Sequence, residues 1–150
     1  MKEFEDQNIK MTGVLELILK DEFGNVKEQR AQNLVVTVGK NYIASRMAGN
    51  GTAVMSHMAV GSGAVAPNAA NTALGTELDR VALAVAGGTP AGNVVTYTST
   101  FNPGVGTGAV TEAGIFNNAS AGTMLCRTTF AVINKAAADT LTINWNVTVN

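Results

Sequence analysis

Hydrophobic and polar residues alternate along the last ten residues of the chain. Leu141, Ile143, Trp145, Val147 and Val149 are separated from one another by threonine and asparagine residues. Successive side chains of a β-strand point to opposite faces, so this alternation predicts a strand with one buried face. Trp145 lies on that face and is therefore predicted to be a core residue.

Shorter segments with the same period predict three β-hairpins. The first joins residues 14–20 to residues 26–38 through a turn at 21–25, in which Gly24 and Asn25 can adopt positive φ. The second joins residues 81–85 to residues 94–101 through a flexible loop at 87–93. The third joins residues 110–116 to residues 124–130. A further short strand is predicted at residues 55–60 and ends at the sequence Gly-Ser-Gly.

One helix is predicted over residues 40–48, because Ile43 and Met47 are four residues apart and Ala44 lies beside them. Gly39 is interpreted as the residue that breaks the preceding strand. The sequence Gly-Asn-Gly at 49–51 ends the helix. Its apolar stripe is narrow, so we expect the helix to lie across one end or edge of a sheet.

These elements predict a mainly β fold. About eight short strands with frequent turn signals favour a single antiparallel β-sandwich, jelly-roll-like, over residues 11–150. Residues 1–10 have no apolar period and are predicted to form a polar N-terminal arm. The pattern leaves open which strands pair with one another.

Length and charge narrow the class of protein. The chain has 150 residues, which fits one domain, and a net charge of −1. That balance provides no basic face for nucleic acid, and no apolar run reaches the length of about 18 residues that spans a membrane. The acidic start of the chain differs from a secretory signal, so we expect a protein that folds in the cytoplasm.

Charged residues are concentrated near the N-terminus. Between Gly51 and Asn150 the only charged residues are Glu77, Asp79, Arg80, Glu112, Arg127, Lys135 and Asp139. Two interpretations remain open at this point. The surface can consist of threonine, asparagine, serine and glycine and need no charge, or much of it is covered in an assembly, because interface cores are depleted in charge.

No constellation of residues indicates catalysis, a metal ion or a cofactor. His57 is the only histidine, Cys126 is the only cysteine, and no Gly-X-Ser-X-Gly nucleophile motif occurs. Cys126 lies in a predicted strand and is interpreted as a small buried hydrophobe. A glycosidase needs only two carboxylates, but acidic residues are sparse in the β region. We therefore expect that the protein is not an enzyme.

Glu112 lies in an apolar segment where an unpaired charge would be costly. It is expected to meet Arg127 or Arg80, or to accept hydrogen bonds from exposed backbone donors. Glu112 and Arg127 are accordingly predicted to be structural polar residues.

Six sequence blocks occur together along the chain in a specific order and spacing. They are NLVVTVGKN at 33–41, MAVGSG at 58–63, NTALGTEL at 71–78, TEAGIFN at 111–117, RTTF at 127–130 and DTLTINW at 139–145. In these blocks the chain resembles a family of small virion structural proteins of tailed bacteriophages, associated with head decoration and with tail-fibre-like parts. The resemblance covers residues 34–150 and implies no catalytic motif.

The resemblance implies a capsid decoration, or cement, protein on the head surface of a virion assembled in a bacterial host. Its implied partners are copies of itself, with a trimer favoured, and the major capsid protein. Two features favour the head: the chain is one small module without a shaft, and it begins with a charged arm. The residues of this arm expected to contact the capsid are Lys2, Glu3, Phe4, Glu5, Asp6 and Lys10.

A tail-fibre or tail-tip module that binds a host receptor is the alternative. It predicts exposed recognition loops, for which residues 64–73 and 87–93 are the candidates. Copy number separates the two hypotheses, because a head protein is present in hundreds of copies and a tail protein in a handful.

Overall fold

The computed structural model describes residues 9–150, which form two antiparallel sheets and one helix. Sheet I has the strand order β2-β1-β10-β7-β6. Its strands are β1 (Met11–Lys20), β2 (Val26–Gln32), β6 (Thr89–Ala91), β7 (Val94–Phe101) and β10 (Thr140–Val149). Sheet II has the order β3-β9-β8-β4-β5. Its strands are β3 (Leu34–Val35), β4 (His57–Gly61), β5 (Glu77–Ala82), β8 (Gly108–Phe116) and β9 (Met124–Lys135).

The predicted mainly β class is confirmed, although the described residues contain ten strands rather than about eight. Both sheets contribute to one hydrophobic core, in which Leu17 and Trp145 of sheet I join Met58 and Ile115 of sheet II. Trp145 is fully buried, as the alternation around it predicted. Cys126 is also buried in this core, and burial raises the pKa of its thiol well above the ordinary value.

The chain crosses from sheet I to sheet II at Asn33, so the single strand predicted over residues 26–38 is wrong. The Asn33 Oδ1 atom accepts a hydrogen bond of 2.9 Å from the indole Nε1 of Trp145. The Asn33 side chain also occupies the space above Gly13, where a β-carbon would overlap it. The break between β2 and β3 therefore depends on contacts with residues that are distant in sequence.

Helix α1 (Thr37–Met47) begins three residues earlier than predicted and includes Gly39, which had been interpreted as a strand breaker. Gly39 is buried against the backbone of β9, and a β-carbon at this position would overlap the carbonyl oxygen of Leu125. Here glycine permits a close approach between helix and strand. Glycine at this position is therefore explained by packing, and the prediction that Gly39 breaks a strand is wrong.

Two of the three predicted hairpins are confirmed. Strands β1 and β2 pair with Lys20 opposite Val26, and β8 pairs with β9. The second predicted hairpin is wrong as a strand pair, because β5 pairs with β4 in sheet II whereas β7 lies in sheet I. Ala84, which lies beyond the end of β5, donates a backbone hydrogen bond of 2.8 Å to the Thr98 carbonyl of β7. The partner of β7 on that side is the short strand β6, which lies within the predicted flexible loop.

The outer faces of the two sheets differ. On sheet I, Thr96 and Thr98 donate hydrogen bonds of 2.8 and 2.9 Å to Asn146 and Asn144, so this face is a polar ladder. On sheet II a second, smaller core covers the outer face. It contains Val36, Ala59, Phe116 and Met124, packed against Val38 and Leu74.

Within residues 9–150 no helix has the length and apolar character needed to cross a membrane.

Candidate functional site

The segment of residues 62–76, which connects β4 to β5, lies over the outer face of sheet II and is here named the pinned loop. It contains no charged residue. Most of its side chains are exposed, and Val65 is 78% exposed. Loops without secondary structure are commonly mobile, so the contacts that hold this one in place are of interest.

Glu112 lies beneath this loop and is fully buried. The β8–β9 register shifts between Val110 and Glu112. Val110 on one side of the shift, and Ala113 and Ile115 on the other, face the core shared by both sheets. Irregularities of this kind re-aim side chains in sheets, and here Glu112 points away from the core and towards the loop.

The carboxylate of Glu112 holds both ends of the pinned loop. Its Oε1 atom accepts hydrogen bonds of 2.8 Å from the backbone N–H groups of Gly63 and Thr76. Its Oε2 atom accepts one of 2.9 Å from the backbone N–H of Gly75. Gly63 lies near the start of the loop and Gly75 and Thr76 at its end, so a single side chain closes it.

Of the two arginines considered as partners of Glu112, Arg127 is the one in contact. Its Nε and Nη2 atoms donate to Glu112 Oε2 at 3.0 and 2.8 Å, and its side chain is 2% exposed. Arg127 also donates to the Asn71 side chain at 3.0 Å and to the Val65 carbonyl at 2.9 Å. The middle of the pinned loop is therefore anchored as well as its ends.

Arg80 has a different role. It pairs with Glu77, its Nη1 atom donates to the carbonyls of Asn118 and Ala121, and its guanidinium lies 3.8 Å above the centre of the Phe116 ring. Arg80 thus fastens the β8–β9 turn and leaves Glu112 to Arg127.

The predicted short strand ends at the Gly-Ser-Gly sequence of residues 61–63, and the structure provides a reason for its two glycines. A β-carbon on Gly63 would lie 2.4 Å from Glu112 Oε1, and one on Gly61 would lie 2.5 Å from the same atom. Contacts this short are not tolerated, so the carboxylate requires glycine at both positions.

The arrangement is suited to anchoring and poorly suited to proton transfer. Five donor contacts surround the two oxygens of Glu112, which saturates the acceptor capacity of a carboxylate. A general base would have to give up some of these bonds to accept a proton. In the part of the chain that the structure describes, no three His, Cys, Asp or Glu side chains are grouped as a metal site would require.

The environment of Glu112 predicts a specific acid response. Burial raises its pKa, but hydrogen bonds from the Thr76 and Gly75 amides, from Arg127 and from the Gly63 amide outweigh burial, so the pKa lies below its ordinary value of 4.5. As pH falls below 4.5, Glu112 is therefore protonated in the unfolded chain before it is protonated in the folded chain. The stability that Glu112 contributes is lost as pH falls through its pKa in the folded state. Urea denaturation at descending pH should show a steeper stability loss for the wild type than for Glu112→Gln. Parallel pH curves would contradict this prediction.

The other predicted site residues are not brought to this cluster. Lys2, Glu3, Phe4, Glu5 and Asp6 lie outside the described residues. Lys10 is exposed, and its backbone pairs with that of Asn150 through bonds of 3.1 and 2.7 Å, which extends the β1–β10 ladder by one pair. Lys10 is therefore tied to sheet I, although it was assigned to the arm.

The six sequence blocks come together in a way that their order along the chain does not predict. Four of the six converge at Glu112, namely those at 58–63, 71–78, 111–117 and 127–130, through Gly63, Gly75, Thr76 and Arg127. The available signal was the pairing of a buried carboxylate with several glycines and one arginine in an otherwise uncharged region.

In comparisons with protein-family models, curated proteins and solved structures, no match to this chain was found.

Proposed function

We propose that this chain is a structural protein of a tailed-bacteriophage virion, and specifically a decoration protein that binds the assembled head and stabilises it. The observation that supports this most directly is the pinned loop, an uncharged surface held rigid by a buried ion pair. The resemblance of the six sequence blocks supports the same assignment. The proposed role is structural rather than catalytic.

A rigid loop is useful for binding because less conformational entropy is lost when it docks. Residues 62–76 are held at Gly63, Val65, Asn71, Gly75 and Thr76 by Glu112 and Arg127. Depletion of charge is typical of the centre of a protein interface. We therefore assign the pinned loop to contact with the major capsid protein.

We also propose an architecture for the two sheets and an oligomeric state for the chain. The core shared by both sheets supports a single β-sandwich, whereas jelly-roll connectivity stays a prediction. We expect the chain to act as a homo-oligomer, with a trimer favoured, and its charged arm to reach neighbouring capsid subunits. Binding only the assembled shell stabilises that shell by mass action.

A charge in the pinned loop tests this assignment. Val65→Glu should weaken binding to particles that lack the protein by about tenfold or more, because the new carboxylate would be buried without a partner. The fold should be unaffected, since the Val65 side chain is 78% exposed. Saturation binding of the purified chain to such particles, measured by co-sedimentation, provides the affinity.

Val85→Glu is the matched control, because Val85 is 52% exposed and lies beside the loop at 87–93. It should bind particles as the wild type does. Loss of binding by Val85→Glu alone would overturn the assignment of the pinned loop.

Equal resistance of particles to heat or low salt with and without the protein would overturn the cement role. A copy number of only a few per particle would favour the tail-tip alternative.

A further inference from the structure

Strand β2, with seven residues, is the longest of the four strands that end the two sheets. Sheets I and II end in β2, β6, β3 and β5. Strand β3 has two residues, β6 has three and includes Pro90, and the pairing of β5 with β4 shifts register between Val60 and Gly61. Strand β2 pairs with β1 over seven residues without a shift. Within residues 9–150 no strand pairs with its other edge.

The backbone N–H and C=O groups of β2 point alternately towards β1 and towards the free edge of the sheet. At its ends, Asp21 N–H donates to the Asn25 carbonyl and Asn33 N–H donates to the Gly13 carbonyl. Hydrogen-bonded and non-bonded pairs alternate in an antiparallel ladder, so Lys27, Gln29 and Ala31 direct their N–H and C=O groups to β1. The backbone groups directed to the free edge are those of Val26, Glu28, Arg30 and Gln32.

A contact of Gln32, at the C-terminal end of β2, supports this assignment of backbone directions. The Gln32 carbonyl accepts a hydrogen bond of 2.5 Å from Thr128 of β9, so it points away from β1. The Gln29 side chain also donates a hydrogen bond of 3.1 Å to the Ala131 carbonyl of β9. Beside this contact a groove of about 470 Å³ opens between Lys27 and Glu28 on one side and Val132 on the other. The accessible part of the edge is therefore centred on Glu28 and Arg30.

A second copy of β2 fits this edge in one register. An antiparallel pairing centred on Gln29 places Gln29 opposite Gln29 of the second copy, and each Glu28 opposite an Arg30. Thr128 occupies the Gln32 carbonyl, so the backbone hydrogen bonds between copies are those of the Glu28–Arg30 pairs. Both members of the Glu28–Arg30 pair direct their backbone groups outward, so this register also forms hydrogen bonds. A shift of two residues would oppose Glu28 to Glu28 or Arg30 to Arg30, which is repulsive. A shift of one residue would misalign the hydrogen-bonding groups.

We propose that two copies of this chain associate through antiparallel pairing of their β2 strands about a two-fold axis at Gln29, which joins both copies of sheet I into one ten-stranded sheet. Charged residues on a free edge usually prevent pairing. Here the charges of Glu28 and Arg30 disfavour the shifted registers by repulsion and stabilise the register centred on Gln29. The contact stands apart from the proposed virion function, and in a trimeric assembly it would link neighbouring trimers.

Cysteine cross-linking tests the register. In this pairing Gln29 forms a non-hydrogen-bonded pair with itself, with Cα atoms about 4.5 Å apart, which a disulfide can span. Gln29→Cys should therefore yield a cross-linked pair under mild oxidation, and Cys126 does not compete because it is fully buried. Gln32→Cys is the control, because its two copies would lie about 20 Å apart and should stay reduced. Absence of cross-linking for Gln29→Cys, or equal cross-linking of both variants, would overturn the proposal.

A charge exchange tests the contact without relying on cysteine. Glu28→Arg alone would oppose arginine to arginine, and Arg30→Glu alone would oppose glutamate to glutamate. Each variant should self-associate about tenfold more weakly than the wild type in sedimentation equilibrium. An equimolar mixture should restore association, because every pair is again of opposite charge. If the mixture associates no better than either variant alone, or if the wild type is monomeric at all concentrations, the proposal is wrong. Neither result bears on particle binding by the pinned loop.

Discussion

Glu112→Gln is expected to lower the free energy of unfolding by about 3–5 kcal/mol, because it leaves a buried guanidinium without its counter-charge. Arg127 is 2% exposed and would keep its positive charge in the interior. The glutamine amide also offers fewer acceptors to the N–H groups of Gly63, Gly75 and Thr76 than the carboxylate does. Urea denaturation at neutral pH measures the loss.

Glu16→Gln is the matched control for this substitution. Glu16 pairs with Arg30 at 4.0 Å, but the two side chains are 34% and 77% exposed. Surface pairs of this kind contribute about 0–1 kcal/mol, so the control should change stability little. A loss below about 1 kcal/mol for Glu112→Gln would show that the buried pair does not hold the fold.

Hydrogen exchange connects this stability effect to the proposed binding surface. In Glu112→Gln the amides of Gly63, Gly75 and Thr76 should exchange faster, because their acceptor is weakened. We expect the variant to bind particles less tightly as well, since a loop that is no longer held must be ordered on docking.

Gly39→Ala is expected to destabilise the protein by about 3 kcal/mol, the upper range for overpacking in a core. Helix propensity alone predicts the opposite sign, a gain of about 1 kcal/mol, because alanine favours the helix over glycine. The packing effect should dominate, since the added β-carbon would overlap the Leu125 carbonyl, which belongs to the backbone of β9 and cannot rotate away. Thermal denaturation distinguishes the two signs directly.

The control is Asn41→Ala on the exposed side of the same helix. There propensity should dominate and stability should rise by a few tenths of a kcal/mol, roughly the difference between the two residues in model helices. If Gly39→Ala also raises stability, the close approach of α1 to β9 is not a constraint on the fold.

The local pattern of apolar and polar residues was sufficient to predict the strands that have a clear two-residue period and the hairpins between neighbouring strands. Alternation in β10 correctly placed Trp145 in the core, and the β1–β2 and β8–β9 hairpins were predicted because their strands are adjacent in sequence. The same holds for Cys126, whose burial follows from its place in an apolar strand. For Glu112, the cost of an unpaired charge narrowed its partners to two arginines or backbone donors before any contact was known.

The rest depends on contacts between residues far apart in the chain. The pattern at 26–38 is compatible with one strand, but the Asn33–Trp145 hydrogen bond separates β2 from β3. The close packing of Gly39 on Leu125 belongs to the helix that replaces the end of this predicted strand. Likewise β5 was assigned to the wrong partner, because pairing across a long connection leaves no local signal. The pinned loop is the clearest case: a segment of small residues has no period, and its conformation is imposed by Glu112 and Arg127, which reach it from two other strands.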